Sequence, residues 1–593
     1  MTAREPESGP SERVRAGGSD LIAIAGCALL AAWVFRRALF SFFSSPDDLF
    51  YLEQAVGLRP TPLGPFRFLS QVVYFRAMVG LVGLDPFPFH AVSLLVHIVN
   101  TALVYALARR AGTKRIVAWF GAVLFAVFPL SETLLSSAVG INDEAALALT
   151  LTALICLWKP GIRWRIAASV SFALALASKE SVIFLPVLAL WLRPASMPLA
   201  VAARRARPLF AISAVVAMLF ILLRPAGLAP GGEAYAIHFG SNLFHDLMTY
   251  LSWSVDLVRP LPDLVSSIDP TAWRVGIWVV AAIVLCRWRW GAQEPAIRLG
   301  LVWGILGLLP VLPLRFQTYR HYLYPAVPGL ALIVAGALVQ SLMLLGRLPR
   351  PGDIAVDRGV RPRLVVTVVV LAVLAYALRA DHLIAARLAL RMPGSQLALD
   401  PVERRREVAV RALASLHQHL GPDHAAVAVY SPSGMGRTFS ARTGQEYPGI
   451  PAGRRSYDLL AAVTDSGRVF RLFLPQIDSV AFLDRWSCAD TSFTLFLPYY
   501  DGDLFAAGRG RRALAATGRW MFEQRWYPQA REYLDSVLVA YPEDREFLLL
   551  RAGALVKIGE RAAAKHQLEH LIRLAPNDSA ASVARRALTT WER

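Results

Sequence analysis

Leu364-Val365-Val366-Thr367-Val368-Val369-Val370-Leu371-Ala372-Val373-Leu374-Ala375-Tyr376-Ala377-Leu378 runs from residue 364 to 378 without a single charge. A helix needs roughly 20 mainly apolar residues to cross a hydrocarbon core of about 30 Å. With its flanks this stretch meets that need, and so do Leu21–Phe43 and Tyr322–Leu345. Working outward, apolar runs at 21–43, 88–108, 116–135, 143–158, 166–178, 181–193, 208–225, 272–287, 298–314, 322–345 and 364–380 predict about eleven spans. Of the 593 residues, 55% are hydrophobic and 18% charged. A soluble chain carries about 25% charged residues, so the composition points to lipid.

The formal net charge of +19 has a topological reading. Arg109, Arg110, Lys114 and Arg115 follow the second run; Lys159, Arg163 and Arg165 the fourth; Arg204, Arg205 and Arg207 the sixth; Arg287 and Arg289 the eighth; Arg358, Arg361 and Arg363 the tenth. These are alternate loops, hence one face, and cationic loops stay in the cytoplasm. The N-terminus is then cytoplasmic and the C-terminal part extracytoplasmic. No folded basic domain is visible, so no nucleic-acid partner is expected. The four cysteines form neither a disulfide framework nor zinc spacing, and no metal site is assigned.

The organisation expected is a polar, disordered tail over 1–19 and a helical membrane domain over 20–380 with long outer loops at 44–87 and 226–271. A small soluble α/β unit over 381–510 and tetratricopeptide-like hairpins over 511–593 follow. The α/β unit is predicted from a helix at Val402–Leu420 and strand-like runs at Ala425–Tyr430, Val469–Leu474 and Ser492–Leu497. In the last part Ala530, Leu534 and Pro542 recur as Ala564, Leu568 and Pro576, each 34 residues on. That is the tetratricopeptide period. Gly518 and Ala552 share the register.

Charges beside lipid are costly, about 2.5–3.5 kcal/mol at mid-bilayer on insertion scales, so those gathered on the outer side require a reason. Asp47 and Asp48 follow the first run in Ser44-Ser45-Pro46-Asp47-Asp48. They suit the start of a helix behind a Ser45 cap, and equally a general base acting on an acceptor hydroxyl. Asn142, Asp143 and Glu144 open the fourth run and have the same two readings. Glu132 closes the third, where an acid opposes the helix dipole, so a functional role is favoured. His90, His97 and Asn100 share a helix face; polar contacts between helices account for them better than a metal does. Lys179 and Glu180 are expected to pair with each other or to serve a site. Arg67, Arg315, Arg320 and His321, with Arg36 and Arg37, place cations where topology disfavours them; snorkelling to headgroups or an anionic ligand would explain them. No Gly-rich phosphate loop, Ser/His/Asp elbow or HExxH helix is present, which argues against a nucleotide-driven pump.

Taken in order, these residues resemble a family. Asp47-Asp48, Arg67 in Pro65-Phe66-Arg67-Phe68-Leu69, and the run Gly83-Leu84-Asp85-Pro86-Phe87-Pro88-Phe89-His90 resemble the first outer loop and second-span entry of GT-C glycosyltransferases. Leu124-Phe125-Ala126-Val127-Phe128-Pro129-Leu130-Ser131-Glu132 resembles that family's FAxHPxxxE segment, with Phe128 in place of His and the acid one residue early. Ser178-Lys179-Glu180 matches an SKE turn, and Arg320-His321-Tyr322-Leu323-Tyr324-Pro325 resembles ERYLYLP, with His321 where the family has Arg. With the 34-residue repeats, the nearest likeness is to the transmembrane and tetratricopeptide-repeat O-mannosyltransferases; protein O-mannosyltransferases are more distantly similar.

The resemblance implies a membrane glycosyltransferase that moves a mannose-like sugar from a polyprenyl-phosphate donor to a protein or glycan hydroxyl outside the cytoplasm. It implies Asp47 or Asp48 as base and Arg67, Lys179, Arg320 and His321 on the donor phosphate. Glu132, Asp143, Glu180, His90 and Tyr322 would support them. It implies no certain cofactor beyond the lipid-phosphate sugar and leaves room for a divalent metal. The setting expected is a bacterial inner membrane with a periplasmic C-terminal domain, whose repeats would recruit a protein partner. Two alternatives stay open: a catalytically inactive scaffold that uses the repeats, and a lipid or polysaccharide transporter.

Overall fold

The computed structural model describes residues 18–43, 46–61, 64–194, 196–225, 235–257, 272–291, 294–314, 317–345, 360–392, 397–430, 456–483, 492–498 and 503–592. The chain divides into two compact units: 1–43 with 61–387, and 44–60 with 388–593. Residues 1–17 of the expected tail, the Ser45 cap and Arg315 lie outside the described residues, while Gly18 and Ser19 already open the helix Gly18–Val34.

The first unit is helical. Among the described residues five helices are long and apolar enough to cross a membrane: Pro86–Arg110, Ala138–Leu157, Leu199–Leu223, Val327–Leu344 and Arg363–Ala389. A sixth span is counted if Arg115–Ala126 and Pro129–Leu135, bent by 42°, act as one. These helices make the chain a multi-pass membrane protein. Of the remaining expected runs, 272–287 lies in the 19-residue helix Ala272–Trp290, and the others form shorter helices. The run 166–178 lies in Ile162–Ser178, and 181–193 breaks into short turns over Glu180–Trp191. Apolar composition counts residues but does not register where a proline or an ion pair interrupts the helix. The apolar outer faces of Leu199–Leu223 (Met218, Ile221, Leu222) and of the last span (Leu364, Leu371, Leu378) are exposed, as a lipid-facing surface requires.

Small residues let two helices cross closely. Gly300 and Gly304 on Pro295–Leu308 face Gly329 on Val327–Leu345, and a Cβ at Gly300 would lie 2.4 Å from the Gly329 carbonyl oxygen. Lipid supplies no hydrophobic drive between helices, so close backbone contact through glycine takes its place.

The second unit combines a helix Pro46–Ala55, an α/β layer and helical hairpins. Strands β1 (Ala425–Tyr430), β2 (Ile477–Leu483), β3 (Thr494–Pro498) and β4 (Leu504–Gly508) form one sheet in the order β2-β1-β3-β4. β1 runs parallel to β2 and β3, and β4 is antiparallel to β3. The expected strand at Val469–Leu474 is corrected: Arg468–Phe473 is a helix burying Val469, Phe470 and Leu472, and the strand follows it. A short apolar run fits a buried helix turn as well as a strand. β4 was not anticipated.

Five helices end the chain: Gly510–Glu523, Tyr527–Ala540, Arg545–Lys557, Arg561–Leu574 and Ser579–Glu592. A contact repeats at the 34-residue interval. Arg511 pairs with Asp544 (Nε to Oδ2, 2.5 Å), and Arg545 pairs with Asp578. Each Asp also caps a helix, since Asp544 accepts from Glu546 N at 3.1 Å and Asp578 from Ala580 N at 2.7 Å. The last helix therefore begins in the register of a third repeat.

Candidate functional site

Three breaks in the helices of the first unit bring its polar groups together. The first is at Phe128-Pro129. Proline holds Phe128 extended and ends Arg115–Ala126 early, so Glu132 opens a new short helix, Glu132–Leu135. The expectation that Glu132 closes a span against the dipole is thus corrected: it lies in a first turn and pairs with Arg387. Gly140 lets the chain turn back tightly, because a Cβ there would come 2.2 Å from the Leu134 carbonyl oxygen. Helix Ile141–Leu157 then starts with Asn142, Asp143 and Glu144 all buried. A helix N-terminus tolerates acids, but burial demands a partner.

The second break supplies it. Helix Ile162–Ser178 ends at Lys179, whose backbone is extended. Successive side chains diverge in extended chain. Lys179 and Glu180 accordingly do not pair with each other, as the sequence suggested they could. The Lys179 Nζ donates to Asp143 Oδ2 at 2.6 Å, with both side chains buried. Glu180 instead receives Arg67, with Nε to Oε2 at 3.1 Å. Arg67 sits in the left-handed region (φ 56°) at the entry to a π-helical turn, Phe68–Val73, a conformation that costs a non-glycine residue on the order of 1 kcal/mol. Ser70 Oγ donates to the Ser178 carbonyl at 2.7 Å and ties that turn to the helix end.

The third break, Arg320–Leu323, contributes aromatic and basic groups. The Tyr322 ring lies 5.0 Å from Lys179 Nζ, and its hydroxyl donates to Gln317 Oε1 at 3.2 Å. His321 stacks on Tyr319 at 5.3 Å. Burial, reinforced by the charges of Lys179 and Arg67, pulls the His321 imidazole down to about 3. It is therefore a neutral hydrogen-bonding group at pH 7, not a cation. Arg320, 6% exposed, stands 5.4 Å over the Trp253 ring. On that same helix, Ser241–Val255, burial lifts the Asp246 carboxyl to about 6 while Thr318 donates to it at 3.0 Å.

Of the residues singled out, Arg67, Asp143, Lys179, Glu180, His321 and Tyr322 thus form one cluster, joined by ion pairs and ring contacts. Arg320 adjoins it in sequence. His90 lies elsewhere on its helix, with Nδ1 3.0 Å from the Leu135 carbonyl. Arg36 pairs with Asp381 at 2.8 Å, and Arg37 pairs with the same carboxylate, so helix Val360–Ala389 accounts for both cations. Asp47 and Asp48 stand in the first turn of Pro46–Ala55 in the second unit, Asp47 exposed and Asp48 fully buried. In that unit Arg59 joins Glu53 at 3.0 Å and also pairs with Asp465.

Sequence reasoning missed Tyr324 as a centre. His97 Nδ1 lies 2.8 Å from its hydroxyl and Asn100 Nδ2 donates to it at 3.1 Å. The shared helix face of His97 and Asn100 was the available signal. It missed Trp253 for want of any motif. No group of three or more His, Cys, Asp or Glu able to hold a metal occurs among the described residues. An apolar cavity of about 320 Å³ in the same unit is lined by Phe120, Leu124, Phe128, Val327, Leu330 and Tyr376, among others.

No protein-family model matches the chain. It is 30% identical over 173 residues to mouse (Mus musculus) protein O-mannosyl-transferase TMTC1, covering 25% of this chain and 18% of that one. It is 34% identical over 85 residues to the human (Homo sapiens) protein of that name, covering 14% of this chain and 10% of that one. The chain thus spans less than a fifth of the length of these relatives. The crystal structure of ArnT from Cupriavidus metallidurans bound to undecaprenyl phosphate aligns over 82% of this chain and 93% of that one, at 12% identity and a TM-score of 0.44. That alignment is too loose to carry an argument. Over the matched stretches the chain resembles the protein O-mannosyl-transferases, a likeness of the GT-C kind that its motifs indicate.

Proposed function

We propose that this protein is a GT-C-type membrane glycosyltransferase that transfers a mannose-like sugar from a polyprenyl-phosphate donor to a protein or glycan hydroxyl on the extracytoplasmic side. The observation that carries the reading is the cluster at the helix breaks, where Lys179, Arg67, neutral His321 and Tyr322 sit beside apolar spans. Arg and Lys there suit a phosphate, which gains charge as it leaves the sugar, and buried donors near that charge stabilise it. Arg320 adds a further buried cation on the same turn as His321. The apolar cavity offers walls of the chemistry that a prenyl tail requires, and tail binding would hold the donor while the headgroup reacts.

Asp47 or Asp48 then takes the proton of the acceptor hydroxyl, which attacks the anomeric carbon with inversion. Asp143 and Glu180 hold Lys179 and Arg67 in place, and Glu132 and His90 buttress the neighbouring turns. The helical hairpins, with their 34-residue ladder of Arg–Asp pairs, are suited to a protein partner. The setting that fits this reading is a bacterial inner membrane, with the hairpins in the periplasm. The test is glycan transfer in cells lacking the gene, complemented with wild type, Asp47→Asn, Asp48→Asn and the double variant, with membrane levels checked. At least one single variant should lose most transfer and the double variant nearly all. Full transfer by the double variant would reject the assignment.

A further inference from the structure

Within the cluster the charges fall into two ion pairs. Two cations, Lys179 and Arg67, are matched by two acids, Asp143 and Glu180, and His321 is neutral. The two pairs differ. Glu180 accepts both Nε and Nη2 of Arg67, and its side chain keeps 24% of its exposure. Asp143 is 3% exposed at its side chain, and only Oδ2 has a hydrogen-bond donor, the Lys179 ammonium. Its Oδ1 is buried with no hydrogen-bond partner among the described residues. Asp143 thus has Lys179 as its one hydrogen-bonded counter-ion among the described residues, with Arg67 acting on it only at a distance. The titratable groups facing it are Lys179 and Glu180 on their turn, Arg67 ahead of Phe68–Val73, Tyr322 on Arg320–Leu323, Tyr324 just beyond it, and Glu144 beside it on its own helix. None other than Lys179 donates to it.

An anion that recruits Lys179 therefore leaves Asp143 as a buried carboxylate without a hydrogen-bonded counter-ion, a state that proteins avoid by protonation. Resting on the donor-phosphate reading above, we propose that binding of a phosphate group at this cluster is coupled to uptake of one proton by Asp143. The balance is simple. The Lys179 ammonium transfers its charge-assisted hydrogen bond from Asp143 Oδ2 to a phosphate oxygen. One proton from solvent binds the Asp143 carboxylate, giving a neutral acid. The incoming negative charge is thus matched by one proton, and the cluster with its ligand keeps the net charge it had before. Release of the phosphate returns the proton, so departure of the lipid phosphate is favoured as pH rises.

The test uses the full chain in detergent and, as probe, farnesyl methyl phosphate, a phosphodiester whose single charge does not titrate in the working range. Titration calorimetry in two buffers of different ionisation enthalpy counts protons taken up per ligand, and Kd is followed from about pH 6 to about pH 9. The expected result is about one proton taken up per ligand on the alkaline side, with affinity falling about tenfold per pH unit there. Asp143→Asn should abolish both the uptake and the slope. Wild-type binding with no proton uptake and a flat Kd overturns the proposal alone. Persistence of uptake in Asp143→Asn also overturns it, since the proton then goes elsewhere. Absence of wild-type binding at every pH overturns the donor-phosphate reading and this inference with it. The wild-type measurement decides the matter even if a variant fails to fold.

Discussion

Replacing Lys179 with Met keeps the length of the stem and deletes the hydrogen-bonded counter-ion of Asp143. The pair is buried, 9% and 3% exposed at the two side chains, with Nζ 2.6 Å from Oδ2. Breaking such a pair by removing one partner costs about 3–5 kcal/mol, because the surviving charge is stranded. Asp143 has one escape, which is to fold as the neutral acid. An aspartic acid ordinarily titrates near 3.9, and each pH unit is worth about 1.36 kcal/mol, so holding it neutral costs about 4 kcal/mol at pH 7 and about 1.5 kcal/mol at pH 5. The destabilisation of Lys179→Met should therefore be about 4 kcal/mol at pH 7 and shrink by more than half at pH 5. The sign follows from linkage. In the variant the folded chain binds a proton that the unfolded chain has lost, so stability falls as pH rises. Adding Asp143→Asn removes the stranded charge and should restore most of the loss, with a coupling energy of about 2–3 kcal/mol. The assay is equilibrium unfolding in bicelles at the two pH values for wild type, both single variants and the double variant. A Lys179→Met protein as stable as wild type at pH 7, or one whose deficit is the same at pH 5, would refute the reasoning.

Two further outcomes follow from the geometry. Gly300→Ala places a Cβ about 1 Å too close to the Gly329 carbonyl on the facing helix and should destabilise by about 1–3 kcal/mol despite the better helix propensity of alanine; Gly26→Ala, where the space is open, should be neutral or stabilising, and thermal melts of the two in one detergent compare them directly. His321, held neutral in the fold with its pKa down to about 3, should cost stability as pH falls, because the unfolded imidazole gains a proton below about 6.5 and the folded one does not; the loss reaches about 2 kcal/mol by pH 5, and His321→Gln should flatten that part of the pH–stability curve measured by unfolding.

What is legible in this sequence and what is not differ in the range of interaction involved. Leu199–Leu223 and Arg363–Ala389 were legible because burial in lipid is recorded residue by residue as apolarity, and nothing distant has to be known. The helix Pro401–His419 and strands β1 and β3 were legible for the same reason, as periodicity is local. The 34-residue interval was legible through Ala530/Ala564 and Leu534/Leu568, all buried in the hairpins, whereas its Arg511–Asp544 and Arg545–Asp578 ladder escaped notice. A surface charge carries no local mark of the partner it meets. The helix at Arg468–Phe473 shows the opposite limit, since six residues carry too short a pattern to tell helix from strand.

By itself the sequence determined that the chain is built of apolar helices with a polar C-terminal part, and that ionisable residues gather at Lys179-Glu180 and Arg320-His321. Only the tertiary structure decided which charge meets which. Lys179 goes to Asp143, Glu180 to Arg67, Arg36 and Arg37 to Asp381, and Glu132 to Arg387. The partners in these pairs are far apart along the chain, and a Coulomb interaction carries no sequence pattern. It depends on distance and on how much water is excluded, and both are fixed only once the helices have packed.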